Sequence, residues 1–508
     1  MKVLLMVPDQ DFELEEKPPA NREALAQDLE LNTLWEAMAL GDRFVFETTR
    51  QVLLSSLDDL TVIRYRQEIL QDCLNNPSVV RDIYRLPLEA IENKKKNWMG
   101  ILSRYPSGIL SNAVEMLDMF VVLLKQLKSI ADEHAGDFHS EGFTRFFAMI
   151  QQELDDDYFA VVESHLEALK FRRGVLLSAQ VGQGNEGTNH VLRQSNLHDQ
   201  NWFQRALADK PRSYSFSVDP HDDHGARALG ELKDRVINLV ANAVAQSAEQ
   251  IDTFFEALRQ ELAFYIGCLN LYERLVKLEE PVALPQVMAP GERRHSFTGL
   301  YDVCLALTMN RKVVGNEVNA DGKDLVVITG ANQGGKSTFL RSIGLAQLMM
   351  QCGMFVPAES FSGSLCDGLF AHYKREEDTT MASGKFDEEL GRMSDIVDQV
   401  RPNSLVLFNE SFAATNEREG SEIARQIVSA LLERHIRVFF VTHLYELAHG
   451  FYDKNMANAL FLRAERRADG TRTFKLIEGE PLETSYGKDL YHEVFNTKEP
   501  LVPAANPR

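Results

Sequence analysis

Cysteine is scarce and scattered. The 508-residue chain has five, Cys73, Cys268, Cys304, Cys352 and Cys366, with no C-x-x-C pair and no histidine spacing that suits zinc. That excludes a disulfide-framed secreted module and a zinc ribbon, and it points to reduced thiols in a cytoplasmic protein. Basic residues are also in deficit: 54 Lys and Arg face 75 Asp and Glu, a net charge of −21. As a whole such a molecule repels nucleic acid and anionic membranes, so any contact with a polyanion must come from a local basic patch. No apolar run is expected to reach membrane length, because Val121–Leu124 is bracketed by Glu115, Asp118 and Lys125. The opening MKVLLMVPDQDFELEE has one lysine and a very short apolar run, which does not suit a signal peptide. Repeats and low-complexity tracts are missing too. What remains is an ordinary globular composition, 44% hydrophobic and 25% charged, in a chain long enough for about two to four domains.

Residues 1–30 read as a short strand followed by an acidic, proline-bearing loop. Residues 31–142 read as a helical core: apolar residues recur at three- and four-residue steps, punctuated by Asn75-Asn76-Pro77 and Tyr105-Pro106-Ser107-Gly108. The run Lys94-Lys95-Lys96 beside Trp98 could touch a phosphate backbone, though a solvated helix face is the commoner meaning of such a run. Residues 143–278 read as a pair of lever helices, 143–171 and about 229–276, flanking an insertion at about 174–228. An unbroken helix over 229–276 would span about 70 Å; the alternative is two core helices kinked near Ser247. Within the insertion, VLLSAQVG and TNHVL flank a glycine/asparagine turn, and Ser213–Val218 alternates like a strand. Across 171–220, six basic residues (Arg172, Arg173, Arg193, Arg205, Lys210, Arg212) face four acids, a net of +2. Arg172, Arg173, Arg193 and Arg212 are therefore the candidate DNA contacts. Pro281, Pro285 and Pro290 mark 279–299 as a linker into a final domain, 300–508.

That domain contains the stretch around which the chain is organised. Leu325-Val326-Val327-Ile328-Thr329 has the length and chemistry of a strand. It empties into Gly330-Ala331-Asn332-Gln333-Gly334-Gly335-Lys336-Ser337, which fits G-x-x-x-x-G-K-[ST] at every fixed position, with Thr338 next. A helical segment follows, with Phe339, Leu340, Ile343, Leu345, Leu348 and Met349 as its apolar side. Glycines let the backbone turn its N–H groups inward on phosphate oxygens, and the helix N-terminus adds positive potential. Lys336 can reach the β- and γ-phosphates of ATP, and the Ser337 hydroxyl can join the shell of a Mg²⁺ ion. Downstream, Ser404-Leu405-Val406-Leu407-Phe408 ends in Asn409-Glu410, and Val438-Phe439-Phe440-Val441 ends in Thr442-His443. A carboxylate at a strand's C-terminal end suits the polarisation of an attacking water, and an imidazole there can stand near a γ-phosphate.

The segment TGANQGGKSTFLRSIGLAQLMMQCGMFVPA resembles the MutS-type ATPase, whose phosphate loop reads TGPN-x-GGKST before a helix ending in G-x-x-VPA. The match continues through Phe370–Leu390 and SLVLFNESFAATNEREGSEIA to FFVTHLYEL, and more weakly into IRYRQEILQDCLNNP. The resemblance implies an α/β P-loop ATPase domain of the ABC/MutS type, preceded by a mainly α-helical core and lever region with a small β-rich, clamp-like insertion. It also implies a head-to-tail homodimer with composite ATP sites, and ATP and Mg²⁺ as cofactors. By position, Gly330–Thr338 corresponds to the phosphate loop, Asn316 to the adenine-side asparagine, Glu410 to the catalytic carboxylate and His443 to the switch histidine. Ala414-Thr415-Asn416 corresponds to the loop that crosses to the partner.

Four departures qualify that expectation. Asn409 stands where the family has Asp, which removes one negative charge beside the metal and implies weaker Mg²⁺ dependence or slower turnover, not a dead enzyme. Gly384-Lys385-Phe386-Asp387-Glu388-Glu389 replaces S-T-F-x-x-E, leaving Ser383 and Gly384 as the trans signature. Val313 falls where the family has an aromatic against adenine. Finally, only about 30 residues precede the helical core and Phe12 is followed by Glu13-Leu14, so the F-x-E wedge of mismatch readers is not expected; nor is a nuclease segment before Arg508. The expected function is a slow ATPase that binds DNA by structure in repair or recombination, without a membrane. The alternative is a conformational ATPase that acts on a protein or ribonucleoprotein partner.

Overall fold

In the computed structural model, residues 1–13, 20–55, 57–98, 105–172, 174–193, 214–375, 384–467 and 469–482 are described. Helix starts follow local chemistry. After α1 (Arg22–Asp28) and α2 (Leu31–Ala39), α3 (Arg43–Leu54) is capped by Asp42, whose carboxylate accepts from the amides of Phe44 and Val45 at 2.8 and 3.2 Å. Asp59 caps α4 (Leu60–Asn75) in the same way through Thr61. Then come α5 (Pro77–Trp98), α6 (Pro106–His134), α7 (Glu141–Glu153) and α8 (Asp156–Leu169). The expected single helix over 143–171 is thus two. Asp155 breaks it by leaving helical geometry and accepting from the Tyr158 amide at 2.7 Å, with Asp156 and Asp157 in the new first turn.

A hairpin follows, β1 (Leu177–Val181) against β2 (Gly187–Leu192), antiparallel as the glycine/asparagine turn predicts. The strand expected at Ser213–Val218 does not form over its described part, 214–218, where Tyr214 and Phe216 stand exposed. Next, α9 (Asp223–Lys277) runs 55 residues without interruption, about 80 Å at about 1.5 Å per residue. No kink occurs at Ser247. Its hydroxyl donates to the Ala243 carbonyl one turn back at 3.0 Å, so the polar gap is satisfied inside the helix.

The chain divides into two compact units: Met1–Val3 with Ser78–His139 and Phe143–Leu262, and Leu4–Pro77 with Ser140–Gly142 and Ala263–Arg508. In the first unit Phe138, Phe143 and Phe147 form an aromatic cluster, with centroids 4.6 to 5.7 Å apart. Helix α6 is long and apolar enough to cross a membrane by length and composition, against the sequence expectation. Its acids and lysines are spaced widely enough for an 18-residue apolar window, yet Leu110, Phe120, Leu124 and Leu127 on one side are buried, and Phe120 lies 5.5 Å from Phe255.

In the second unit the described N-terminal residues form no strand. Three side chains take the carbonyls a neighbouring strand would need: Tyr65 bonds Leu4, Tyr265 bonds Leu5 and Arg66 bonds Met6, at 2.5, 2.6 and 2.9 Å. Arg66 and Gln67 of the RYRQ element thereby join the core. The proline-bearing segment carries β3 (Gln286–Met288) and opens β4 (His295–Leu300), which is followed by α10 (Val303–Met309), β5 (Asn316–Asn319), β6 (Leu325–Gly330), α11 (Lys336–Gln351) and β7 (Ser360–Ser364). The remaining elements are β8 (Leu369–Tyr373), α12 (Lys385–Gln399), β9 (Leu405–Asn409), α13 (Glu417–Glu433), β10 (Arg437–Val441), α14 (Tyr445–Tyr452), β11 (Ala459–Arg466) and β12 (Arg472–Glu478). Two sheets result, one ordered β3-β7-β4-β5 and one ordered β12-β11-β6-β10-β9-β8. In the larger sheet only β12 is antiparallel. Its central strands are buried throughout, which is why they read as near-continuous apolar runs. Val327, Phe408 and Phe440 pack there with Val428 of α13 and Phe451 of α14.

Candidate functional site

Parallel pairing brings three strand ends together. Register sets Ile328 of β6 opposite Val441 of β10, and Val441 opposite Asn409 of β9. The chain beyond β6 is the glycine loop, beyond β9 comes Glu410, and beyond β10 comes His443. Ligand sites in open parallel sheets form at such carboxyl ends.

The loop that follows β6 has the backbone its glycines permit. Gly330 and Gly335 have φ of 107° and 88°, and a Cβ on Gly330 would lie 2.8 Å from the Ala464 amide. Lys336 opens α11, and its ammonium donates to the carbonyls of Gly330 and Ala331, both at 3.0 Å. Burial pushes this lysine down from 10.5 to about 8, with Glu410 opposing and Arg472 adding to the shift. Asn332, Gly334 and Thr338 lie in the same loop and helix start.

Two pairs of side chains face this loop. The Ser337 hydroxyl donates to Asn409 Oδ1 at 2.9 Å. Two uncharged oxygens this close are donors of the kind a hard cation such as Mg²⁺ takes, so the pair would suit one. Among the described residues no group of three or more His, Cys, Asp or Glu could hold a metal. The second pair is Glu410 with His443, whose Nε2 lies 2.7 Å from Glu410 Oε1. That hydrogen bond holds the carboxyl below its ordinary value, against the opposing effect of burial. The Glu410 amide donates to the Val441 carbonyl at 2.8 Å, which pins the carboxylate to the end of β10.

Strand β12 adds groups that no sequence motif marks. Asn316 on β5 bonds to that strand: its Oδ1 accepts from the Leu476 amide at 2.8 Å and its Nδ2 donates to the Phe474 carbonyl at 3.3 Å. Arg472 donates to the Gln333 side chain at 3.2 Å, although 139 residues separate them. Phe474, half exposed with φ of 60°, lies beside Gly335. Sequence reasoning misses Arg472 and Phe474 because an edge strand reaches the loop only after the sheet has formed. Val313 is held by its amide to Glu280 at 2.6 Å.

The signature segment is described only from Gly384, which begins α12 without a side-chain cap; Ser383 lies outside the described residues. Arg173 and Arg212 also lie outside them. Arg193 donates to Ser178 at 3.0 Å within the hairpin, and the exposed Arg172 pairs with Glu167 at 3.5 Å. Two lysines of the run are paired: Lys94 with Asp252, and Lys96 with Glu92 at 2.8 Å.

Comparison with known proteins places both halves of the chain. Residues 58–278 match the family described as the MutS2 N-terminal domain, and residues 326–505 match MutS domain V. Over 281 residues the chain is 32% identical to the endonuclease MutS2 of Lacticaseibacillus casei, a match that covers 51% of this chain and 35% of that protein. It is 23% identical to the DNA mismatch repair protein MutS of Prochlorococcus marinus over 374 residues, 71% of this chain and 40% of the relative. With the mouse MutS protein homolog 4 it shares 30% over 203 residues, 37% of this chain and 20% of the relative. The chain therefore spans well under half the length of these relatives. With a glycine loop at the end of β6, a carboxylate–histidine pair and both family matches in sequence order, the chain belongs to the MutS family.

Proposed function

We propose that the chain binds and hydrolyses ATP, and that nucleotide state governs its grip on DNA recognised by structure rather than by a mismatch, in repair or recombination. The observation that carries this reading is the convergence of the Ser337–Asn409 and Glu410–His443 pairs on the Lys336 loop. Loop amides and Lys336 hold the phosphates, and the lysine exchanges its bonds to the Gly330 and Ala331 carbonyls for phosphate oxygens. Ser337 and Asn409 would hold a magnesium ion, which when bound would offset charge on the phosphates. Glu410, kept ionised, orients and polarises the attacking water, and His443 fixes the carboxylate's direction. Asn409 supplies a neutral oxygen where a carboxylate would draw the metal more strongly, so turnover is slow.

Family membership supports a homodimer, and we propose that it is cytoplasmic and that Gly384 and its preceding residues meet the partner's nucleotide. It also supports a clamp-like role for the hairpin and the segment after it. The deciding experiment measures ATP turnover with no nucleic acid, duplex, four-way junction, single-stranded DNA and RNA side by side. Stimulation by junction or duplex that falls steeply with salt supports the proposal. Turnover indifferent to every nucleic acid selects instead a conformational ATPase with a protein or ribonucleoprotein partner, the reading favoured by the net charge of −21.

A further inference from the structure

The backbone that carries Glu410 is held in a conformation non-glycine residues rarely adopt. Glu410 and Phe412 have φ of 55° and 64°. Phe412 is also wholly buried. Its ring stacks on His372 with centroids 5.4 Å apart and planes 16° apart, and Phe408 lies 6.0 Å away. Between Glu410 and Phe412, the Ser411 hydroxyl lies 2.7 Å from His372 Nδ1 and donates to the His372 carbonyl at 2.6 Å. The other ring nitrogen, Nε2, lies 3.0 Å from the carbonyl of Glu389 in α12. From the opposite side α13 closes on the same loop, since a Cβ on Gly420 would meet the Phe412 carbonyl oxygen at 2.3 Å.

The hydrogen-bond partners settle the tautomer. A carbonyl can only accept, so Nε2 carries the hydrogen. Burial, aided by Arg392, pushes His372 down to about 4, so its ring is neutral at pH 7. Nδ1 then accepts, and the single hydrogen of Ser411 serves either that nitrogen or the His372 carbonyl. The ring is a buried, uncharged brace and does not shuttle protons. Burial raises the Glu389 carboxyl, opposed chiefly by the nearby Arg392 and Lys374 charges.

We propose that His372 is a positioning residue for hydrolysis. It holds the 410–412 backbone through Ser411 and Phe412, and through the Glu389 carbonyl it ties that backbone to the helix that starts at Gly384. A phosphate seated at Gly384 would then bear on Glu410 through one buried ring. The inference rests on the reading of Glu410 as the catalytic carboxylate.

The test compares wild type, Glu410→Gln, His372→Phe, His372→Asn, Ser411→Ala and the His372→Phe/Ser411→Ala pair, all in the full chain. It measures ATP turnover, affinity for an uncleavable ATP analogue and thermal unfolding. His372→Phe keeps the ring stack and loses both hydrogen bonds. Its kcat is expected to fall tenfold or more, the scale of a sub-ångström to ångström misplacement, while KM and analogue affinity change less than about twofold. His372→Asn keeps an acceptor for Ser411 and recovers part of the loss. Ser411→Ala falls with His372→Phe, the pair falls no further than either alone, and Ser411→Ala carries the test should His372→Phe not fold. Wild-type kcat in folded His372→Phe and Ser411→Ala, beside an inactive Glu410→Gln, overturns this inference alone. A wild type without turnover, or a fully active Glu410→Gln, overturns the reading of Glu410 and this inference with it.

Discussion

The strand ends around Glu410 and the hairpin beyond α8 are the two regions the proposed function needs, and they are built in opposite ways. At the strand ends, every functional side chain is held by another group: Lys336 by loop carbonyls, Ser337 by Asn409, Glu410 by His443. Burial around Lys336 reduces screening, so its bonds to the loop are worth more than they would be in water. The hairpin is a two-stranded ribbon with largely exposed residues, and its arginines make single bonds in open solvent. An exposed pair such as Arg172 with Glu167 contributes little. A site that must orient one water needs rigidity; a surface that meets a polyanion needs only charge within reach.

That contrast can be broken, beginning with the largest effect. Glu410→Gln keeps size and loses the charge, so turnover is expected to drop at least a hundredfold while binding of an uncleavable ATP analogue persists; phosphate release and calorimetry read the two. Neutralising Arg172, Arg173, Arg193 and Arg212 together is expected to abolish DNA stimulation and leave basal turnover unchanged. The slope of log affinity against log salt should shrink by about 0.9 for every phosphate that no longer meets an arginine. An unaltered slope would remove the hairpin region from the DNA-binding surface.

Next comes pH. In the free protein Lys336 is charged below about 8 and loses its proton above it, whereas phosphate favours the charged form. ATP affinity is therefore complete below about pH 8 and falls as pH rises past it, by at most tenfold per pH unit. Calorimetric titration across pH 7 to 10 checks the sign. The smallest effect is expected from Asn409→Asp, which restores a negative charge beside the metal and should tighten Mg²⁺ and raise turnover a few-fold. Identical Mg²⁺ affinity in both forms would show that residue 409 does not contribute to the metal's surroundings.

Legibility follows the same division. The loop at Gly330–Thr338, Glu410 and His443 can be read directly, because each lies where an apolar run stops and glycine or polar chemistry starts. Segment 143–171 reads as one helix because its apolar period continues across Asp155; only the carboxylate's bond to the Tyr158 amide breaks it. The N-terminus reads as a strand because nothing local shows that Tyr65, Arg66 and Tyr265 take its carbonyls. Lys94 looks available to a phosphate until Asp252, 158 residues later, occupies it.

The sequence by itself determined the order of elements and the identity of the groups at each strand's end, since local periodicity and glycine content act within a few residues. Only the tertiary structure decided what those groups touch: Asn316 on β12, Arg472 on Gln333, and His372 against the backbone that aims Glu410. The physical reason is range. Backbone preference is decided between neighbours in the chain, whereas a hydrogen bond 2.7 Å long between residues 39 positions apart exists only once parallel strands have come into register.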